Sequence, residues 1–160
     1  AHGIAPGIRR RFAAMRWGSV PSSIWEEERQ RARSLERPEV PFRGRGGDID
    51  PACLRLTREN AEKAGVAACI SAAQADLRDF RPEGERGVVL CNPPYGERLL
   101  DVQQAEELYR VMGRVFVPKP GWSYGIISPH ERFEELFGRP AAKRRKLYNG
   151  MLKCQLYMYF

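Results

Sequence analysis

The sequence predicts an α/β fold, a mostly parallel sheet flanked by helices and closed by an antiparallel hairpin, on three observations. Val88-Val89-Leu90-Cys91 is a short, unbroken apolar run, the pattern of a strand covered on both faces. Segments with helical periodicity and their own start and stop signals alternate with runs of this kind. Asn149-Gly150 stands between two strand-like runs, which is the mark of a tight hairpin.

The elements follow in order. Residues 1–21 are rich in Gly, Pro and Arg without a clean period and read as a connector. Ser23-Ile24-Trp25-Glu26 matches a capping box, in which Ser and Glu satisfy each other's orphan backbone donors, and a charged helix continues to Glu36. Pro38 and Pro41 end it. Phe42 to Asp48 is a short strand interrupted by glycines. Asp50-Pro51 then opens a helix with Asp as cap and Pro at the first position; Leu54, Ala61 and Ala64 lie along it and Gly65 stops it. A weaker apolar stretch from Val66 to Ala73 leads to Ala75-Asp76-Leu77, and Gly84 to Gly87 marks a turn before the Val88 strand. Asn92-Pro93-Pro94-Tyr95-Gly96-Glu97 follows, where two prolines forbid both helix and central strand. Asp101 to Phe116 is helical, with Ala105, Leu108, Val111, Met112 and Val115 on its apolar stripe. Trp122 to Ser128 is a strand, Glu131 to Phe137 a short helix, and Arg145 to Tyr148 with Met151 to Phe160 the terminal hairpin.

At 160 residues the chain is expected to form a single domain, 1–160. Lys and Arg number 27 against 20 Asp and Glu, a net charge of +7 that suits an anionic partner. Cys53, Cys69, Cys91 and Cys154 form no Cys-x-x-Cys pair and the histidines are His2 and His130 alone, a composition that argues against zinc, a disulfide framework and a Ser or Cys hydrolase. No metal site is expected. No run approaches the roughly 18 apolar residues of a membrane span, and the opening Ala1-His2-Gly3-Ile4-Ala5-Pro6-Gly7 followed by Arg9-Arg10-Arg11 lacks the order of a secretory signal. The expected location is cytoplasmic. The opening without Met reads as the continuation of a longer chain.

In α/β sheets ligands bind at the carboxyl ends of strands. Asp48, Asp76 and Asn92 each close a successive strand, which puts all three on one rim. A short carboxylate is acceptor-only and can take both hydroxyls of a ribose, a role Asp48 fits; the competing reading is a surface carboxylate or a partner of Arg45. Asp50 reads as a helix cap. Asp76 suits an exocyclic amine of adenine, or else caps the turn before Asp79-Phe80.

Asn92-Pro93-Pro94-Tyr95 is more specific. Proline locks its own φ and restricts the residue before it, so the Pro93 carbonyl has little freedom. That carbonyl and the amide oxygen of Asn92 offer two acceptors to the two protons of a planar amine, while Tyr95 supplies a face for stacking a base. Acceptors that hold those protons out of plane favour a pyramidal nitrogen and free its lone pair for attack. The alternative is a proline-rich turn after a strand.

These residues resemble the class I, S-adenosylmethionine-dependent amino-methyltransferases, whose loop at this position is Asn/Asp-Pro-Pro-Tyr/Phe. Asn92 to Leu99, Gly47-Asp48-Ile49-Asp50-Pro51, Glu59-Asn60-Ala61 and Arg145-Lys146-Leu147-Tyr148-Asn149-Gly150 look like the bacterial 23S ribosomal RNA guanine-N2 methyltransferase family, from Ile4-Ala5-Pro6-Gly7 almost to Phe160. The resemblance implies a Rossmann-like sheet and S-adenosyl-L-methionine as cofactor. Asp48 with Ile49 falls at the cofactor ribose, Asp76 with Leu77 at its adenine, Asn92 at cofactor and target alike, and Pro93, Pro94 and Tyr95 around the target amine of ribosomal RNA. Family members carry, before the Ile-Ala-Pro-Gly segment, a first strand and an Asp-Pro-x-Cys-Gly-Ser-Gly-Thr loop for the methionine end of the cofactor, and an N-terminal ferredoxin-like and THUMP region. This sequence carries neither, so it is expected to be a catalytic domain truncated at its N-terminal strand, with weakened or absent cofactor affinity. That strand would lie between those ending at Asp48 and Asn92. The basic runs Arg9-Arg10-Arg11 and Lys143-Arg144-Arg145-Lys146 are candidates for RNA phosphates, with a solvated surface as the competing reading. The alternatives in function are adenine-N6 methylation of DNA, since the same tetrapeptide serves any planar amine, and a non-catalytic RNA-binding or assembly module.

Overall fold

The computed structural model describes residues 1–96 and 102–160. The element order is α1 (Ser22–Ser34), β1 (Gly44–Asp48), α2 (Pro51–Ala64), β2 (Ile70–Gln74), β3 (Gly87–Cys91), α3 (Val102–Val115), β4 (Trp122–Ser128), α4 (Phe133–Phe137), β5 (Lys143–Asn149) and β6 (Leu152–Tyr159), with short 3-10 turns between. The expected start of α3 at Asp101, and Glu97 to Leu99 of the loop motif, lie outside the described residues. The chain divides into two compact units, Ala1–Gly46 with Leu56–Ala72 and Gly47–Arg55 with Ala73–Phe160.

The strands form a two-stranded sheet, β1-β2, and a four-stranded sheet in the order β3-β4-β6-β5. Because β3 is parallel to β4, β6 antiparallel to β4 and β5 antiparallel to β6, three strands of the larger sheet run one way and β6 runs against them. This is the mostly parallel sheet with one reversed strand that the sequence predicts. On its far side from β4, β3 has no hydrogen-bonded neighbour among the described residues.

The core of the larger unit is aromatic. Tyr109, Met112 and Phe116 from α3 and its end, Phe133 and Phe137 from α4, Tyr124 and Ile126 from β4, and Tyr157 and Tyr159 from β6 meet in one cluster. Phe133 stacks on Tyr157 at 4.4 Å between centroids and Phe137 on Tyr159 at 4.5 Å, so the helix covers the reversed strand ring on ring. A Cβ on Gly113 would stand 2.0 Å from the carbonyl oxygen of Phe137, which fixes a glycine where α3 passes closest to α4. Arg139 lies over the rings of Phe137 and Tyr159 and donates to the carbonyls of Gly113 and Phe116, closing the C-terminal end of α3.

Several expectations are corrected. The helix predicted from a Ser23-Glu26 box begins at Ser22 with Pro21 as its cap residue and no side-chain cap bond. The proline fixes the entry φ, so the helix starts before Ser23 can sit outside it. On α3 Ala105, Val111 and Met112 of the expected stripe are buried and Tyr109 and Phe116 join them, whereas Leu108 and Val115 are only partly buried. The hairpin forms, but Asn149 pairs with Leu152 and the turn centres on Gly150-Met151. Gly150 alone there has a left-handed φ, +61°, which gives a turn with glycine first rather than Asn-Gly at its centre. Finally, β3 is bare on one face: Val88 and Leu90 are 71% and 79% exposed. An apolar run announces burial without saying what provides it.

Asp50 caps α2 as predicted, its Oδ1 accepting from Ala52 N at 2.8 Å, and Gly65 ends that helix at φ +74°. No described helix is long and apolar enough to cross a membrane.

Candidate active site

Asp48, Asp76 and the Asn92–Tyr95 loop all belong to the larger unit. Asp48 and Asn92 stand at the carboxyl ends of β1 and β3, and Asp76 two residues beyond β2. Strand termination places each: β1 gives way to the Asp50 cap, and β3 to two prolines that have no N–H to continue the ladder.

Asp48 Oδ1 accepts from the backbone N–H of Asp50 at 2.9 Å, and the Asp48 carbonyl accepts from Ala75 N at 3.1 Å, which ties the two strand ends together. The neighbouring Ile49 is 67% exposed, and its carbonyl accepts from Gln74 Nε2 at 3.0 Å. Asp76 takes the backbone N–H of Arg78 on one oxygen and its guanidinium on the other, both at 2.8 Å. The backbone bond, ahead of the guanidinium, holds its carboxyl below the usual carboxylate range. Asp76 thus fills the turn-capping role that the sequence offered as its alternative, while staying ionised as an acceptor. Leu77 packs against the aromatic core.

Within the loop, the Tyr95 hydroxyl donates to the Asn92 amide oxygen. The oxygen expected to meet a substrate amine is therefore engaged within the loop itself, by the side chain expected to stack on a base. Burial raises the Tyr95 phenol above its ordinary value, with Asn149 opposing the shift and Cys154 adding to it. The loop is also held from behind. Tyr109, wholly buried, donates from its hydroxyl to the Pro94 carbonyl at 3.3 Å. Ser128, also wholly buried, donates to Tyr109 Oη at 3.3 Å and accepts from His130 N at 3.1 Å. These bonds run in one direction, from the His130 amide through two hydroxyls to the Pro94 carbonyl. His130 is itself fixed: Nδ1 accepts from Arg132 N at 3.2 Å, so Nε2 carries the proton that faces Glu106 Oε1 at 3.4 Å. Cys91, the last residue before the loop, is pushed by burial to a pKa of about 11 and stays a thiol.

Tyr109, Ser128 and His130 were not among the residues the sequence singled out. Tyr109 does share the helical spacing of Ala105 and Met112, but its contact with Pro94 joins segments that no local pattern connects.

The two basic runs separate. Arg9 donates to the Lys63 carbonyl at 2.7 Å, Arg10 stands over the Phe12 ring at 5.8 Å, and Arg11 is exposed, all in the smaller unit. Lys143 to Lys146 lie on β5, an edge strand, with Arg144 paired to Glu134 and set against the Tyr157 ring. A row of cations on an edge also keeps other strands from pairing there.

Residues 1–158 match the family model described as RMKL-like, methyltransferase domain. The protein YpsC of Bacillus subtilis (strain 168) is 37% identical over 157 residues, 98% of this chain and 41% of that protein. The ribosomal RNA large subunit methyltransferase K/L of Legionella pneumophila (strain Philadelphia 1) is 37% identical over 156 residues, 96% of this chain and 22% of that enzyme. Among solved structures, SMU.472 in complex with SAH superposes with a TM-score of 0.89 at 38% identity, covering 99% of this chain and 42% of that one. The chain thus spans less than half the length of the relatives it matches. It belongs to the RMKL-like methyltransferase family, and its fold is that of the Rossmann-like class I methyltransferases.

Proposed function

We propose that this member of the RMKL-like methyltransferase family is the catalytic part of an S-adenosylmethionine-dependent enzyme that methylates the exocyclic N2 amine of a guanine in 23S ribosomal RNA. The observation that carries the reading is the Asn92–Tyr95 loop, closing β3 and held from behind by Tyr109. The relatives' names, a ribosomal RNA methyltransferase and a protein crystallised with SAH, support the reaction class.

The cofactor, when bound, supplies a methyl group on a sulfonium sulfur. Asp48 beside exposed Ile49 suits the ribose, as an acceptor-only group meeting two hydroxyl donors. Asp76, kept ionised by Arg78 and followed by Leu77, suits the adenine amine. The incoming guanine amine donates one N–H to Asn92 Oδ1, in place of the Tyr95 hydroxyl, and its second N–H to the Pro93 carbonyl. Held this way by Asn92 and Pro93, the nitrogen keeps its lone pair out of conjugation with the ring and free for attack; the cofactor, held by Asp48 and Asp76, would supply the methyl group as the electrophile and keep the C–S bonding pair on its sulfur. The amine is acidic once methylated and loses its proton to water without a strong base. Positioning carries the catalysis, and holding two reactants in line supplies about 7–11 kcal/mol. The guanine leaves its stack to reach the loop, and the ring of Tyr95, freed from Asn92, replaces that stacking.

The test is incubation of the full-length protein with methyl-labelled cofactor and 23S ribosomal RNA, followed by nucleoside analysis. N2-methylguanosine is expected, and label in N6-methyladenosine or no incorporation would overturn the reading. Asn92→Ala is expected to lower the rate by at least roughly a hundredfold, about 2.7 kcal/mol; a rate within about threefold of the parent removes Asn92 from its role.

A further inference from the structure

The smaller unit contains two hollows, of about 790 and 630 Å³, that share Ile8, Arg9 and Arg33 and so form one trough. Seven cationic side chains line it against two carboxylates, Glu26 and Glu36. Arg29 is committed to the fold, donating to the Arg10 carbonyl at 2.9 Å and to Met15 Sδ at 3.6 Å, and Arg9 is committed to the Lys63 carbonyl. Arg11 and Arg16 are exposed and have no hydrogen-bond or ion-pair partner among the described residues. Arg33 has only Glu26, at 3.9 Å with both side chains more than half exposed, a contact of little worth in water. Phe12, 41% exposed on the trough wall, is backed by Trp25 at 6.1 Å between centroids.

We propose that this trough docks a single-stranded segment of the RNA substrate, with backbone phosphates on Arg11, Arg16 and Arg33. The inference rests on the RNA reading above and adds to it a binding surface built by the smaller unit alone. Three features select the ligand. The seven cations are divided between two adjoining hollows, Arg11, Arg16 and Arg29 in one, Arg10 and Lys63 in the other and Arg9 and Arg33 in both, which fits a repeating anion better than a lone phosphate. All but Lys63 are arginines, whose planar forks grip phosphate oxygens in pairs. An exposed ring among them suits the alternation of phosphate and base in a single strand. The folded-in roles of Arg9 and Arg29 hold the trough's shape, Arg10 stands over the Phe12 ring, and Arg11, Arg16 and Arg33 are left for the ligand.

The experiment is fluorescence anisotropy of a 5′-labelled 12-nucleotide single-stranded RNA titrated with the full-length protein, without cofactor, at several salt concentrations. The measurement needs no turnover, so its failure leaves the methyl-transfer reading standing, and failure of methyl transfer leaves the trough untouched. Arg11→Gln with Arg16→Gln is expected to weaken binding at least tenfold at low salt. The slope of log affinity against log salt should fall by about 1.4, because each phosphate neutralised on a single strand contributes roughly 0.7 and the double variant gives up two. Both side chains are exposed, so circular dichroism and the thermal midpoint should match the parent. Unchanged affinity and slope overturn the proposal. So does equal affinity for a labelled polyglutamate peptide, which would make the trough a site for an acidic protein.

Discussion

The two units of this chain are built on opposite terms. In Gly47–Arg55 with Ala73–Phe160, α3, α4 and the four-stranded sheet close on a cluster of stacked rings, several of them wholly buried. In Ala1–Gly46 with Leu56–Ala72 Ala61 is the one buried hydrophobic side chain among the described residues, and contacts such as Phe12 on Trp25 and Arg37 N to the His2 carbonyl join segments near the surface. Composition explains the difference. The α1 segment SSIWEEERQRARS has too few large apolar residues to make a face, whereas α3 places Tyr109, Met112 and Phe116 in line at its own period. Transferring a group between atoms needs side chains locked by their neighbours, and the candidate active site stands on the packed unit. A charged trough for a flexible strand tolerates a looser frame.

The comparison breaks most readily on stability. Phe133→Ala, in the packed unit, is expected to cost about 3–5 kcal/mol, while Leu35→Ala, at a side chain 64% exposed in the other, should stay within roughly 0.5 kcal/mol. Urea midpoints of the two variants measure this, and equal losses would dissolve the contrast. A smaller effect sharpens it. Tyr109→Phe leaves the Pro94 carbonyl without its donor, a loss of about 1–3 kcal/mol, and Tyr124→Phe removes a comparable bond to the Val117 carbonyl, 2.8 Å long and remote in sequence from the loop. Both should lower the midpoint, but only Tyr109→Phe should lower kcat of the full-length protein. Equal falls in kcat would reduce Tyr109 to a packing residue.

The smallest effect concerns pH. Burial raises the Cys91 thiol from 9.0 to about 11, so the folded chain stays protonated where the unfolded chain begins to ionise. This contribution to stability is complete below pH 9 and fades as pH rises towards 11. The parent's urea midpoint should therefore fall further between pH 8 and pH 10 than that of Cys91→Ala; parallel declines would mean that Cys91 is more open than its packing indicates.

What was legible in the sequence was what neighbours along the chain decide. Asp50 caps α2 because its donor, the Ala52 N–H two residues away, is supplied by the chain itself and needs no tertiary partner. The Asn92–Tyr95 loop was found because two prolines after an apolar run admit few conformations. Asp76 showed both its possible roles for the same reason, as its bonds to Arg78 are local. The hairpin was visible too, though not its register, since moving the turn by one residue changes which glycine position the backbone needs and leaves the dipeptide unchanged. What stayed hidden depends on distant segments. Nothing near Tyr109 announces Ser128, and nothing in Arg9-Arg10-Arg11 announces that Arg16 and Arg33 line the same trough.

The four-stranded sheet has two unlike borders. Lys143 to Lys146 guard β5 with charge, whereas β3 ends the sheet with Val88 and Leu90 uncovered and a row of backbone donors and acceptors unpaired among the described residues. Such a sheet has a growing end and a blocked end, and lengthening it costs less past β3, where a new strand gains hydrogen bonds and an apolar partner together. That asymmetry makes concentration a variable in handling this chain: its colloidal behaviour should respond to one polar substitution at Leu90 far more than to any change among the lysines and arginines of β5.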